Sequence, residues 1–108
     1  MARDYDVTAT VELLMGSRRG DDALLAGGMT RESLAVSEAG NYLEDVLGAS
    51  ALEWAIQGYD VLAGEDPVPV RVRLACTCGG TSKGDVGRAA SADLEGFLEG
   101  EIVSVEVG

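Results

Sequence analysis

The chain has 108 residues, of which 46% are hydrophobic, and its eight basic and nineteen acidic residues give a formal net charge of −11. One compact domain spanning 1–108 is expected, because the apolar residues suffice for one core and the chain is short for two. The charge excludes binding to nucleic acid or to an anionic membrane through a basic surface, and the absence of histidine removes the commonest general base and metal ligand.

The first half of the chain predicts a strand followed by a helix. Apolar and polar side chains alternate over residues 4–15, which is typical of a half-buried strand. A glycine-rich connection over residues 16–28 is expected to follow. Thr30 is then suited to cap a helix, because its hydroxyl accepts a bond from a free N–H group of the first turn. Apolar residues at spacings of three and four over 36–47 give this helix one buried face, and Gly48 is its expected end.

The segment that follows this helix fits two structures. Ser50 and Glu53 have the spacing of a capping box, which favours a third helix at 51–63. Apolar residues at alternate positions favour instead a strand over 52–62, with Gly58 in a bulge that resets the alternation.

The second half of the chain predicts the same order of elements. Alternation over residues 68–78 indicates a strand, preceded by a turn at 63–67. Asp85 is expected to cap a second helix, whose apolar face extends to Leu98. Residues 101–107 predict a last strand, in which three valines share one face: Val103, Val105 and Val107.

An internal repeat relates the two halves. The same apolar spacing occurs in both predicted helices, at Ala39, Leu43, Leu47 and at Ala90, Leu94, Leu98. Since the second copy leads into a strand, symmetry favours a strand at 52–62 as well. The sequence therefore predicts an α+β fold, a two-layer β-α-β-β-α-β (ferredoxin-like) sandwich with an antiparallel four-stranded sheet and two helices on one face. The alternative is a three-stranded sheet with a third helix at 51–63.

One face of the predicted four-stranded sheet stays open. We expect polar residues of the first strand to lie on it, next to two arginines of the third strand and with Glu106 on the outer side: Asp4, Asp6, Thr8, Thr10, Glu12, Arg71 and Arg73. The arginines are expected to form cross-strand pairs, each contributing about 0.2–1 kcal/mol.

Cys76 and Cys78 are in phase with the core side of their strand, so they are expected to be buried free thiols. They are also the candidates for metal ligands, as half of a thiolate site completed by a second chain. Otherwise neither a metal nor a cofactor is expected. No apolar run reaches the ~18 residues of a membrane-spanning helix, and residues 1–6 have no apolar stretch behind a basic one. These features favour a reducing, cytoplasmic location.

The acidic residues indicate a binding protein rather than an enzyme. Most carboxylates are predicted to lie on solvent faces, where two neighbouring carboxyl groups would have the same environment and therefore similar pKa values. In addition, no histidine is present to activate a serine or cysteine. The candidates for partner binding form two alternative surfaces, the acidic residues of the first strand (Asp4, Asp6 and Glu12) or those of the two helices (Glu38, Glu44, Asp45, Glu95 and Glu99). We expect them to face the basic nucleic-acid-binding surface of a protein partner and to compete there with nucleic acid.

In size, charge and compactness the chain resembles the small acidic inhibitor proteins that phages carry against host nucleic-acid-cutting defences. That resemblance implies an inhibitor that mimics nucleic acid, of the anti-defence or anti-CRISPR type. The alternative is a structural or oligomerisation domain, such as an accessory protein or a homodimer, whose acidity serves only solvation. In that case Leu14, Trp54 and Ile102 are expected at exposed strand positions, where they would form the contact.

Overall fold

The computed structural model of the chain describes residues 2–16, 21–63 and 67–108. In these ranges the elements are, in chain order, β1 (Arg3–Met15), α1 (Asp21–Ala26), α2 (Arg31–Leu47), β2 (Ala55–Val61), β3 (Val68–Gly80), α3 (Lys83–Phe97) and β4 (Glu101–Val107). The predicted turn at 63–67 lies largely outside the described residues.

The strands form one antiparallel sheet in the order β2-β3-β1-β4, so β1 and β3 are central. Helices α2 and α3 pack against one face of this sheet, and the other face is not covered by either helix. The arrangement is consistent with the ferredoxin-like sandwich that the sequence predicted. Because residues 55–61 form β2, the alternative with a third helix at 51–63 is wrong.

The core lies between the sheet and the two long helices. On the strands, the buried positions alternate, as the sequence pattern indicated. On the helices, both copies of the internal repeat are buried at equivalent places: Ala39, Leu43, Ala90 and Leu94 are all fully inaccessible to solvent. Each leucine buried in this way contributes about 1.5–3 kcal/mol relative to an exposed one. The repeat therefore corresponds to two β-α-β halves that share one core.

The helices begin at hydroxyl caps. Thr30 Oγ1 accepts a hydrogen bond from the backbone N–H of Ser33 at 3.1 Å, and α2 ends at Gly48, both as predicted. For α3 the predicted cap, Asp85, is wrong. Ser82 is the N-cap, and its hydroxyl accepts a bond from the Asp85 N–H at 3.2 Å. Asp85 lies in the first turn, where its negative charge is favoured by the helix dipole.

Two irregularities in the outer strands change which residues face the helices. In β2, Ile56 pairs with Leu74 and Gly58 pairs with Arg73, which makes Gln57 the extra residue of a bulge beside the predicted glycine. In β4, Ser104 pairs with Thr10 and Ile102 pairs with Val11, so that Val103 has no partner and is 40% exposed. The predicted common face for the three valines of β4 is therefore wrong, because a bulge shifts the alternation by one residue.

The connection predicted over residues 16–28 contains a short helix, α1. Gly28, which follows it, has a φ of 102°, a conformation that residues with a side chain rarely adopt. The six residues of α1 are too few to show a periodic apolar pattern, which explains why the sequence indicated only a loop.

Candidate functional site

The eight acidic residues predicted to bind a partner lie on opposite sides of the molecule. Asp4, Asp6 and Glu12 occupy the face of the sheet opposite the helices, here called the open face. The remaining five lie in the helix layer: Glu38, Glu44, Asp45, Glu95 and Glu99. The predicted position of Glu99 on the second helix is wrong, because α3 ends at Phe97; Glu99 lies in the connection that follows, where its N–H donates to the Tyr42 hydroxyl of α2. The predicted residues thus form two separate surfaces, and one flat partner surface contacts only one of them.

The acids of α2 do not form a single row. Glu38 and Asp45 are about two helical turns apart and share one side of the helix, whereas Glu44 lies about 120° away around the axis. Glu44 is close enough to Tyr59 of β2 to influence it electrostatically. Burial and the Glu44 carboxylate, in that order, raise the pKa of the Tyr59 hydroxyl. Glu95 on α3 and Glu99, two residues after the end of α3, are both exposed. The helix layer therefore presents scattered charge.

The open face is crossed by a row of charged residues at equivalent positions on all four strands. Asp60 on β2 is in register with Arg71 on β3, Arg71 with Glu12 on β1, and Glu12 with Glu101 on β4. Arg71 Nε donates to Glu12 Oε1 at 3.2 Å. Glu12, which sequence analysis offered for partner binding, is therefore half-buried and engaged within the sheet.

The second arginine of the open face is also paired. Arg73 Nη1 donates to Asp60 Oδ2 at 2.6 Å, and its guanidinium passes over Gly58 on the way. A Cβ atom at position 58 would overlap with Nη2 of this arginine, so glycine leaves the space in which the side chain lies flat. Both predicted cross-strand pairs thus exist. They neutralise the two arginines of the open face, although such exposed pairs contribute at most about 1 kcal/mol.

Three other carboxylates of the open face form the group that we call the acidic corner: Asp4, Asp6 and Glu106. All three are exposed, and none forms a salt bridge with a lysine or arginine among the described residues. Asp4 and Asp6 are alternate residues of β1, about 7 Å apart. Glu106 is in register with Thr8, which makes it a diagonal neighbour of Asp6 at about 7–8 Å. Among the residues that the structure describes, the acidic corner is thus an array of three exposed charges without a cationic partner.

Most side chains between the acidic corner and the charged row are small. Thr8, Thr10, Ala75 and Ser104 occupy neighbouring register positions there. Arg73, which is in register with Thr10, is the large side chain of this region, and its guanidinium extends over Gly58 to Asp60 on β2. A flat partner surface can therefore approach the sheet most closely around Thr8, Ala75 and Ser104.

The two cysteines lie on the helix side of β3, opposite residues of β1. Cys78 is in register with Tyr5 and is buried, and Cys76 is in register with Val7 and is half-buried. Both are free thiols. Burial, then the neighbouring Cys78 and then Asp93 raise the pKa of the Cys76 thiol to about 11. Over the described ranges, no group of three or more Cys, Asp or Glu side chains has the arrangement of a metal site.

Asp93 on α3 is a structurally important residue that sequence analysis did not single out. Its carboxylate accepts hydrogen bonds from the N–H groups of Ala51 and Leu52, at 2.8 and 3.2 Å, and from the Trp54 indole at 2.9 Å. These hydrogen bonds therefore connect the segment between α2 and β2 to α3. The only signal in the sequence was an acidic residue beside the apolar face of α3.

Of the three residues that the alternative hypothesis expects to form a contact, not all are exposed. Leu14 is 63% exposed, as that hypothesis requires. Trp54 is buried and hydrogen-bonded to Asp93, so its predicted exposure is wrong. Ile102 is half-buried and pairs with Val11, whose side chain points to the helices, because the bulge at Val103 reverses its face.

Two shallow grooves follow the seam between α3 and β4, with volumes of about 390 and 270 Å³. Their walls are mostly small or apolar, and their charged lining residues are Arg88 and Glu95. No group of nucleophilic or acid–base side chains converges in either groove.

Comparison with protein-family models, with curated proteins and with solved structures finds no match to this chain. Among the described residues, no helix has both the length and the apolar character needed to cross a membrane.

Proposed function

We propose that this protein is a non-enzymatic binding protein that presents its open face to the basic, nucleic-acid-binding surface of a protein partner. The acidic corner carries the proposal. Asp4, Asp6 and Glu106 are exposed on the sheet face that neither long helix covers, and no lysine or arginine of the described part of the chain forms a salt bridge with them. The arginines of the same face are held in ion pairs, so the charge that a partner meets there is negative.

The geometry of the acidic corner supports mimicry of a nucleic acid strand. Three carboxylates with about 7 Å between neighbours, two on β1 and one on β4, form a short array of negative charge. A basic groove that binds phosphates would attract such an array over a distance of about one Debye length, which makes association fast and sensitive to salt. An inhibitor of the anti-defence or anti-CRISPR type, acting in the cytoplasm, is the biological role that fits this mode of binding.

The competing proposal, a structural domain whose acidity is only solvation, has less support. Of its three contact residues, only Leu14 is well exposed. The bulges in β2 and β4 and the acidic residues on both strands also oppose edge-to-edge association.

Two variants that remove the same number of charges test the proposal. The first is Asp4→Asn/Asp6→Asn/Glu106→Gln on the open face. The second, Glu44→Gln/Asp45→Asn/Glu99→Gln, removes three exposed acids of the helix layer. An oligolysine peptide with a bound fluorescent DNA duplex serves as the probe, and displacement of the DNA by each protein is measured at low and at physiological salt.

Wild type and the helix-layer variant are expected to displace the DNA with similar potency, and the open-face variant should require at least about tenfold more protein. All three proteins should become less effective as salt rises. Equal displacement by both variants would show that only the total charge matters, and the mimicry proposal would then be wrong.

A further inference from the structure

The open face ends in exposed apolar side chains, at the end opposite to the acidic corner. Leu14 on β1 is in register with Pro69 on β3, and the N–H of Leu62, the residue after β2, donates to the Pro69 carbonyl at 3.0 Å. Leu14 is 63% exposed and Leu62 49%. These three residues, which we call the apolar rung, lie side by side across three neighbouring strands.

The apolar rung makes little contribution to the core. Its side chains project from the face opposite to the helices, whereas the buried residues of β1 and β3 project toward them. Among the described residues, three large hydrophobic side chains are exposed, and two of them belong to this rung. Leu14 and Leu62 are exposed on either side of Pro69, and an exposed apolar patch on a protein rich in charge is typical of a contact surface.

We propose that the apolar rung is the anchor of the interface that the open face forms with its basic partner, an inference that rests on the proposed function. The partner surface should therefore combine an apolar patch with cationic side chains. The apolar patch would cover Leu14 and Leu62. The cations would meet the acidic corner, whose nearest residue, Glu106, is in register with Thr8, about 20 Å from Leu14 along β1.

Charge complementarity selects this occupant. The charged row beside the apolar rung contains three acidic residues and one basic residue: Asp60, Glu12, Glu101 and Arg71. Arg73 lies next to this row. The acidic corner adds three further negative charges. A second copy of the chain would bring a net charge of −11 against another −11, which opposes association. A basic protein with an apolar patch is complementary to both ends of the open face, in charge at the acidic corner and in hydrophobicity at the apolar rung.

Two synthetic peptides of equal length and equal lysine content test the anchor. One forms an amphipathic helix with leucines on one side, and in the other every leucine is replaced by serine. Their affinities are measured by isothermal titration calorimetry for the wild type, for Leu14→Ser/Leu62→Ser and for Val103→Ser. The last variant is a matched control, because Val103 is the third exposed hydrophobic residue and lies on β4, outside the rung.

Wild type and Val103→Ser should bind the leucine peptide about tenfold more tightly than the serine peptide. Leu14→Ser/Leu62→Ser should lose that preference and bind the serine peptide as wild type does. A retained preference in the double variant, or an equal loss in Val103→Ser, would overturn the anchor. Sedimentation showing a wild-type dimer that the double variant abolishes would also overturn it, by identifying a second copy as the occupant.

The charge variant separates this result from the proposed function. Asp4→Asn/Asp6→Asn/Glu106→Gln should weaken binding of both peptides and keep the preference for leucine. The charge variant could instead bind both peptides as tightly as wild type does, while only proteins with an intact apolar rung prefer the leucine peptide. In that case the anchor is supported and the proposed function is wrong.

Discussion

The carboxylate of Asp93 accepts three hydrogen bonds, two from backbone N–H groups and one from the Trp54 indole. Each donor belongs to the segment between α2 and β2, which is remote in sequence from α3. A charged acceptor that satisfies several part-buried donors stabilises a fold more than an exposed ion pair does, because removing it leaves those donors without a partner. Asp93 therefore holds Trp54 in place at the end of the core.

We expect Asp93→Ala to lower the free energy of unfolding by about 2–4 kcal/mol, since three donors lose their acceptor. Urea denaturation followed by Trp54 fluorescence measures this change. Glu95→Ala, two residues along the same helix and exposed, is the matched control and should change stability by less than about 0.5 kcal/mol. Similar stability of both variants would contradict the role assigned to Asp93.

The thiol of Cys76 shows how a core position affects reactivity. Its pKa is raised to about 11, so at pH 8 nearly all of it is the protonated form, which is a poor nucleophile. Iodoacetamide should therefore alkylate Cys76 in the native protein far more slowly than in urea. The native rate should continue to rise between pH 8 and about pH 11, as the thiolate forms. Mass spectrometry identifies the alkylated residue, and rapid labelling of native Cys76 at pH 8 would contradict this account.

At the scale of elements, the outer strands differ from the central ones. Both β2 and β4 contain a bulge, and both are seven residues long against 13 for β1 and β3. Bulges and acidic side chains hinder pairing with another chain at an open edge. The bulge in β4 also determines which of its valines contribute to stability.

Val103→Ser should change the free energy of unfolding by less than about 0.5 kcal/mol, because the bulge leaves this side chain outside the core. Val105→Ser should cost about 1 kcal/mol or more, since Val105 is in register with buried Ala9 and packs against the core. Chemical denaturation of the two variants compares them directly. A larger loss for Val103→Ser would mean that β4 alternates without a bulge.

These two valines also mark the limit of prediction from the sequence. Alternation and the internal repeat were sufficient to predict the four strands, the two long helices and the pairing of Arg71 and Arg73 with acids of the open face. A regular alternation of valines contains no sign of an extra residue, so the bulge in β4 was not predictable. The role of Asp93 was also hidden, because its donors are about 40 residues away in the chain.

The candidate site was predictable only in part. Placing Asp4 and Asp6 on the open face required only the period of a strand, and Glu106 was expected at its outer side. The separation of the open-face acids from those of the helices also followed from the predicted two-layer fold. Exposure of Leu62 beside Leu14 depends on the register of β2 with β3, which local patterns do not determine.

At the scale of the whole molecule, the long central strands give an elongated shape of 57 × 23 × 17 Å. The radius of gyration is 15.6 Å, compared with about 13 Å for a compact domain of this size. Residues 3–6 of β1 form a mostly two-stranded extension with residues 77–80 of β3, and after β4 the Gly108 N–H donates to the Asp6 carbonyl at 2.8 Å. Asp4 and Asp6 lie on this two-stranded extension, so a partner can reach them without meeting the helix layer.

We propose that the open face, and not the helix layer, receives a cationic partner. Titration of the ¹⁵N-labelled protein with an oligolysine peptide, followed by two-dimensional NMR, tests it most directly. The largest shift changes are expected at Asp4, Asp6 and Glu106 and at their register neighbours Thr8 and Thr77, and they should decrease as salt is added. Equal or larger changes at Glu44, Asp45, Glu95 and Glu99 would contradict the claim.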